Sequence, residues 1–292
     1  MSIFSGLENI VKEKCPLAPY TWYGLGGPAD YLITPQSREQ IAEVLQRCRE
    51  HQLPVRVLGF GSNLLVGDEG VRGVVIRLEN PVFCEFKFEG TTLKAGAGAN
   101  LNKLVLESVR KGLAGLEALT GIPGSIGGAV RMNAGGRFGD LGSVVQRVTV
   151  MNLEGQVFEK AKPELVFDYR STNITAKLIL EATIELTESD PESLLQVVKE
   201  VWIYKKNTQP LDTHNAGCIF KNPRGMSAGA LIDRAGLKGT QIGGAVVSEK
   251  HANFFIAEKG CRSSDVRQLI DLVRTKVREK FDVELELELE IW

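Results

Sequence analysis

Residues 121–142 hold eight glycines in 22 positions, and across them the hydrophobic periodicity that marks helices and strands elsewhere stops. Glycine loses more backbone freedom on ordering than any other residue, so a compact chain keeps such a segment only where close contacts offset that loss. The run Gly121-Ile122-Pro123-Gly124-Ser125-Ile126-Gly127-Gly128-Ala129 strips side-chain bulk from one path. A planar cofactor with a pyrophosphate tail can lie along such a path. The segment reads as a long ordered loop system, with a ligand-free glycine-rich Ω-loop as the alternative. A second cluster, Gly59-Phe60-Gly61-Ser62-Asn63-Leu64-Leu65-Val66, follows directly on a short strand. Its glycines admit a ligand close to the backbone, its N–H groups can form an anion-binding concavity, and Ser62 and Asn63 add side-chain donors. A diphosphate suits it; taken alone, it reads equally as a capped tight turn.

Helical and strand patterns surround these clusters. Residues 37–53 carry Ile41, Val44, Leu45 and Cys48 at helical spacing, with Ser37 and Gln40 as a capping box and Pro54 as a stop. Strands are expected at 55–58, at 74–76, as a pair within 82–97, and at 144–152 and 178–186. Asn100 caps a helix carrying Leu101, Leu104 and Val105. Asp190-Pro191 opens another helix, with Leu194, Val198, Val201 and Trp202 on its apolar face. The C-terminal part reads as strand (217–221), helix (227–235), strand (253–257), helix (264–280) and a last strand. In that strand Val283, Leu285, Leu287, Leu289 and Ile291 alternate with Glu284, Glu286, Glu288 and Glu290. Strands and helices without regular βαβ alternation predict an α+β fold, and no acidic residue stands where a Rossmann fingerprint would need one. Two domains are expected, 1–190 and 191–292.

The 292 residues are 43% hydrophobic, enough for two such cores, and a net charge of −1 gives no whole-molecule attraction to nucleic acid or an anionic membrane. Cys15, Cys48, Cys84, Cys218 and Cys261 are scattered, without the paired spacing of a disulfide framework or a zinc site, and read as free thiols of a reducing cytosol. Residues 1–20 lack a signal-peptide pattern, and no stretch approaches a membrane span. A cytoplasmic monomer without a metal is expected.

Gly-Ser-Asn-Leu-Leu-Val at 61–66, followed by Gly-Ile-Pro-Gly-x-x-Gly-Gly-Ala at 121–129, resembles the flavin-binding half of the UDP-N-acetylenolpyruvoylglucosamine reductase (MurB) family. The likeness begins at Tyr23-Gly24-Leu25-Gly26-Gly27-Pro28-Ala29-Asp30 and continues through Phe167-Asp168-Tyr169-Arg170-Ser171 and Gln209-Pro210-Leu211. It resumes at Ala216-Gly217-Cys218-Ile219-Phe220-Lys221-Asn222-Pro223, at Ala235-Gly236-Leu237-Lys238-Gly239, at Val247-Ser248-Glu249-Lys250-His251-Ala252 and in the closing acidic strand. It covers almost the whole chain, in order. With no long insertion between Arg170 and Asp190, the chain resembles the shorter, type II branch.

This resemblance implies an FAD-binding fold of the vanillyl-alcohol-oxidase/PCMH type plus a smaller C-terminal α+β substrate domain. It implies non-covalent FAD, held by Gly59, Gly61, Ser62, Asn63 and Leu64 and by Gly121, Ile122, Pro123, Gly124, Ser125, Gly127, Gly128 and Ala129. It implies NADPH as hydride donor and UDP-N-acetylglucosamine enolpyruvate as substrate. Hydride reaches the terminal vinyl carbon, and the enolate-like carbanion is protonated at the neighbouring carbon. Arg170 matches the family's catalytic arginine, whose planar fork suits a carboxylate. Glu288 matches the catalytic glutamate, although spacing alone does not choose among Glu286, Glu288 and Glu290. Cys218 stands where the family usually has a serine proton donor. A thiol, with an ordinary pKa of about 8.5, is a credible donor; a buried free cysteine is the alternative. Tyr169, Lys206, Lys221 and Asn222 are the expected substrate contacts, and His251 is expected to be a structural turn residue.

Overall fold

The computed structural model describes residues 3–292. Met1 and Ser2, where the segment read as lacking a signal peptide begins, lie outside the described residues. The chain divides into two compact units: Met1–Lys14, Asp30–Phe60 and Arg72–Ile203 form the first, and Cys15–Ala29, Gly61–Val71 and Tyr204–Trp292 the second.

In the first unit a five-stranded antiparallel sheet runs in the order Val157–Ala161, Val145–Met151, Leu178–Glu185, Thr92–Gly96, Phe86–Glu89. A second sheet of four strands has the order Val11–Pro16, Pro28–Ile33, Val71–Ile76, Val55–Val57, with Val55 opposite Val74 in a parallel pair. Helices Arg38–Glu50 and Leu101–Arg110 bury their predicted stripes in the shared core. Their caps form as the sequence suggests: Ser37 Oγ accepts from Gln40 N–H at 3.3 Å, and Asn100 Oδ1 from Lys103 N–H at 3.0 Å. The Gln40 side chain accepts from Gln36 N–H at 2.7 Å, one residue outside the capping-box position.

The glycine-rich run is not wholly irregular. Ile126–Arg131 is a short helix, with Ser125 as N-cap accepting from Gly128 N–H at 3.4 Å. Periodicity failed to reveal it because six residues complete too few turns, and two of them are glycine.

Helix Pro191–Thr208 opens where expected. Trp202, assigned to its apolar face, is instead 47% exposed, whereas Leu194 and Val198 pack with Val109 in a small buried cluster. That packing keeps the helix with the first unit as far as Ile203. The compact units therefore differ from a single cut between 1–190 and 191–292. Two early segments also return to the second unit. Tyr23 and Leu65 are buried in its core, and Leu64–Leu65 pairs in parallel with Glu290–Ile291.

The second unit packs a three-stranded antiparallel sheet (Gln241–Ile242, Ala245–Val247, Phe255–Ala257) with helices Ala228–Arg234 and Ser263–Phe281. The first two strands were not anticipated. In the long helix Val266, Leu269, Ile270, Val273 and Val277 form the predicted buried stripe. Its first N–H groups are capped from far away in sequence: Asp68 accepts from Ser263 N–H at 2.8 Å and Ser264 N–H at 3.0 Å. The two expected strands at 217–221 and 283–291 reduce to single bridges, Cys218 to Phe254 and Phe220 to Leu287, plus the regular pair at Glu290–Ile291.

Gly61 shows why a glycine is needed at this point. Its φ is +65°, and a Cβ there would stand 2.2 Å from the Tyr20 carbonyl oxygen. Gly61→Ala combines a left-handed backbone penalty with a backbone clash, and is expected to lower stability by ~2 kcal/mol or more. Urea denaturation checks this; an unchanged midpoint would show that the turn relaxes freely.

Candidate functional site

The first unit contains a cleft of about 610 Å³, open mouth included, lined by Leu58, Gly59, Phe60, Ala97, Gly98, Ser125, Gly127, Gly128 and Ile179 and by Arg77, Glu79, Arg131 and Lys177. Thus Gly59 meets Ser125, Gly127 and Gly128, far from it in sequence, in one cavity. Ala129 is buried behind it at 5% exposure. Gly121, Ile122, Pro123 and Gly124 form the approach to the helix. This approach is pinned by Gly121 N–H to Asn102 Oδ1 at 3.1 Å and by Leu101 N–H to the Gly124 carbonyl at 3.1 Å.

The glycines here let backbone segments pack closely. The N–H groups of Ile126 and Gly127 donate to the carbonyls of Ala99 (2.9 Å) and Ala97 (2.8 Å), and that of Gly128 to Ser125 Oγ (3.4 Å). The start of the helix is therefore satisfied by protein. A Cβ on Gly127 would lie 3.0 Å from the Ala97 Cβ, and one on Gly59 2.8 Å from Ser125 Oγ. The small residues bring strand, loop and helix together to shape the wall, and Arg77, Arg131 and Lys177 supply the positive charge. Arg131 donates to the carbonyls of Ile174 and Ala176. Burial lowers its pKa from the usual guanidinium range. A smooth apolar wall beside an excess of cations fits a flat ring system carrying a diphosphate.

Also in the first unit, Tyr169 and Arg170 form the two-residue turn between Phe167–Asp168 and Ser171–Thr172. Arg170 has φ +56°, and its guanidinium lies 5.4 Å from the centroid of the Tyr169 ring.

The second unit holds the remaining predicted residues. Ile219 accepts from Glu288 N–H at 2.9 Å, so Cys218 and Glu288 lie one residue apart across that pairing. Glu288 is half-buried, while Glu284, Glu286 and Glu290 are exposed, a distinction that alternation alone could not make. Asn63 and Leu64, from the first glycine cluster, meet this strand. Asn63 Nδ2 donates to the Glu288 carbonyl at 2.9 Å, and Glu290 N–H donates to the Asn63 carbonyl at 3.2 Å. Lys221 pairs with Glu286 at 3.5 Å. Asn222 Oδ1 accepts from Ala228 N–H at 3.0 Å, and exposed Lys206 contributes its carbonyl to Lys250 Nζ at 2.5 Å. His251 accepts through Nδ1 from Asn253 N–H at 3.2 Å, and burial lowers its pKa, which suits a neutral ring inside a turn. Sequence reasoning did not pick out Arg131, Asn133 or Asn253. Asn253 holds Phe220 from both sides, accepting its N–H at 3.0 Å and donating to its carbonyl at 2.7 Å. No sequence signal separates such a buried amide from an ordinary turn asparagine.

A model of the FAD binding domain matches residues 29–160, and one of the UDP-N-acetylenolpyruvoylglucosamine reductase C-terminal domain matches 209–292. UDP-N-acetylenolpyruvoylglucosamine reductase 2 of Symbiobacterium thermophilum is 42% identical over 284 residues, spanning 97% of this chain and 92% of that one. The chain belongs to the UDP-N-acetylenolpyruvoylglucosamine reductase family. The Bacillus subtilis reductase is 39% identical over 279 residues, 94% of this chain and 92% of its own. The crystal structure of the Thermus caldophilus enzyme matches with a TM-score of 0.82 at 40% identity, covering 97% of this chain and 98% of that one. The α+β fold is accordingly the family's, an FAD-binding fold of the vanillyl-alcohol-oxidase/PCMH type followed by the smaller C-terminal domain. FAD is the cofactor.

Proposed function

We propose that this reductase-family protein uses NADPH to reduce UDP-N-acetylglucosamine enolpyruvate to UDP-N-acetylmuramate, a step in peptidoglycan precursor synthesis. The observation that carries this is the likeness to named reductases at about 40% identity over nearly the full length, through both flavin-binding and C-terminal parts. Bound FAD supplies the hydride relay between NADPH and the substrate double bond. Arg170 holds the substrate carboxylate through a bidentate fork and stabilises the charge that develops there. Cys218 Sγ–H donates the proton to the carbanion, and Glu288, whose N–H pairs with the carbonyl of Ile219, is its acidic partner. Tyr169, Lys206, Lys221 and Asn222 contact the UDP-sugar. Residues 1–190 serve the flavin and supply Tyr169 and Arg170 to the substrate, 191–292 serve the nucleotide sugar, and Asn63 braces Glu288. The protein works as a cytoplasmic monomer; among the described residues no helix is long and apolar enough to cross a membrane.

NADPH oxidation by the purified protein, with and without UDP-N-acetylglucosamine enolpyruvate, tests the activity. Oxidation that depends on this substrate is expected, and an equal rate in its absence would refute the assignment. The protein is also expected to be yellow and to release FAD on denaturation, because no histidine or cysteine lies in either glycine cluster to attach it. Flavin that stays on the polypeptide, or that elutes as FMN, would count against this.

A further inference from the structure

Arg170 sits on a hairpin too short to hold itself. Two residue pairs, Phe167 with Thr172 and Asp168 with Ser171, form its ladder, and Asn173 N–H donates to the Val166 carbonyl at 3.1 Å below them; isolated ribbons of this size are not stable in water. Asn173 braces its base, accepting from Val166 N–H at 3.0 Å and donating to the Glu164 carbonyl at 2.8 Å, and the end nearer Arg170 is supported from the helix that backs the cofactor cleft. Asn133, 4% exposed, donates from Nδ2 to the Asp168 carbonyl at 3.0 Å and accepts at Oδ1 from Gly142 N–H at 2.9 Å. Gly142 in turn lies against the Phe167 side chain, where a Cβ would come within 2.4 Å of the ring. One buried amide thus ties the strand leading into Arg170 to the loop packed beneath it. Asn133 has φ +42°, a left-handed conformation that asparagine tolerates better than most residues. The position asks for a donor and an acceptor on a short side chain with positive φ. Aspartate offers only the acceptor, and glycine only the backbone.

We propose that Asn133 is a positioning residue for Arg170, setting the guanidinium for the substrate carboxylate; this rests on the reading of Arg170 given above. Helix Ile126–Arg131 places Gly127 and Gly128 in the cofactor cleft at one end, and Asn133 follows its other end. The helix therefore links the flavin wall to the hairpin. Arg131 reinforces the link through the carbonyls of Ile174 and Ala176, just beyond the hairpin.

Asn133→Gly keeps the left-handed backbone and removes both side-chain bonds. Asn133→Asp keeps the bond from Gly142 but turns a carboxylate toward the Asp168 carbonyl. In the holoenzyme, flavin content and the rate of flavin reduction by NADPH are expected to match the parent. Reduction of the enolpyruvyl substrate is expected to fall about 10–100-fold, the scale of an ångström-sized misplacement of a reacting group. In an Arg170→Lys background the same substitution should cost far less, because two residues acting through one contact are not additive. In flavin-free protein, amide hydrogen exchange should accelerate across residues 167–172 and not across the sheet. A folded, flavin-loaded Asn133→Gly variant with the parent olefin rate overturns the proposal. So does a loss that multiplies in full with Arg170→Lys. If Arg170→Lys itself reduces the olefin at the parent rate, the reading of Arg170 fails and takes the proposal with it, a result distinct from either. Should the glycine variant not fold, the aspartate variant carries the same expectations and the same reversals.

Discussion

Cys218→Ala is expected to slow reduction of the enolpyruvyl ether by about 10²–10⁴-fold, the usual consequence of removing a general acid, while NADPH still reduces the flavin. The backbone around Cys218 is held independently of its side chain. Ile219 N–H donates to the Asn253 carbonyl at 2.8 Å, Phe220 is clamped by the Asn253 amide, and Glu288 N–H donates to Ile219 from the other side. Removing Sγ therefore tests the thiol and not the fold. Cys218 is half-buried, unlike Cys48 and Cys261, whose burial pushes their thiols up to about 11 and marks them as core residues. Cys218→Ser should retain appreciable activity, since the hydroxyl can play the same part. The two differ in pH dependence. A thiol donates only while protonated, so the olefin half-reaction should fall as pH rises through the thiol's ionisation. An alcohol ionises far higher, and that alkaline limb should vanish in the serine variant. Parent-rate olefin reduction by Cys218→Ala would mean that another group or water delivers the proton. Alkylation should stop turnover, and bound substrate should protect. The experiment needs a background in which partly exposed Cys15 and Cys84 are replaced.

Arg170→Lys should cost the olefin half-reaction about 10²–10³-fold, comparable to deleting a donor that stabilises developing oxyanion charge. Lysine keeps the positive charge but loses the planar fork that grips two carboxylate oxygens and the flat face that lies over Tyr169. The turn conformation, at φ +56°, strains lysine and arginine alike, so the substitution leaves the hairpin's backbone cost unchanged. Rapid mixing resolves the two half-reactions. Equal loss in both would show that Arg170 holds the flavin or the fold rather than the carboxylate.

Much of the local structure was legible in the sequence. Ser37, Asn100 and Pro191 mark helix starts because caps and first-turn proline act within a few residues of the backbone they satisfy. The stripe from Val266 to Val277 is buried as its spacing required, since one helical face must meet a core. The ordered motifs pointed to the family without any coordinates. Tertiary structure alone decided what long-range contacts decide. It returned residues 61–71 to the C-terminal unit, because Leu64–Leu65 finds its partner strand at the far end of the chain. It spent the amide N–H groups of Ile126, Gly127 and Gly128 on protein carbonyls and a hydroxyl, in a short helix that periodicity did not show. It separated half-buried Glu288 from its exposed neighbours, which a period of two treats as equivalent. Periodicity and capping are read within a turn or two of chain. Burial and hydrogen-bond partnership depend on which distant segment arrives alongside, and only the folded chain specifies that.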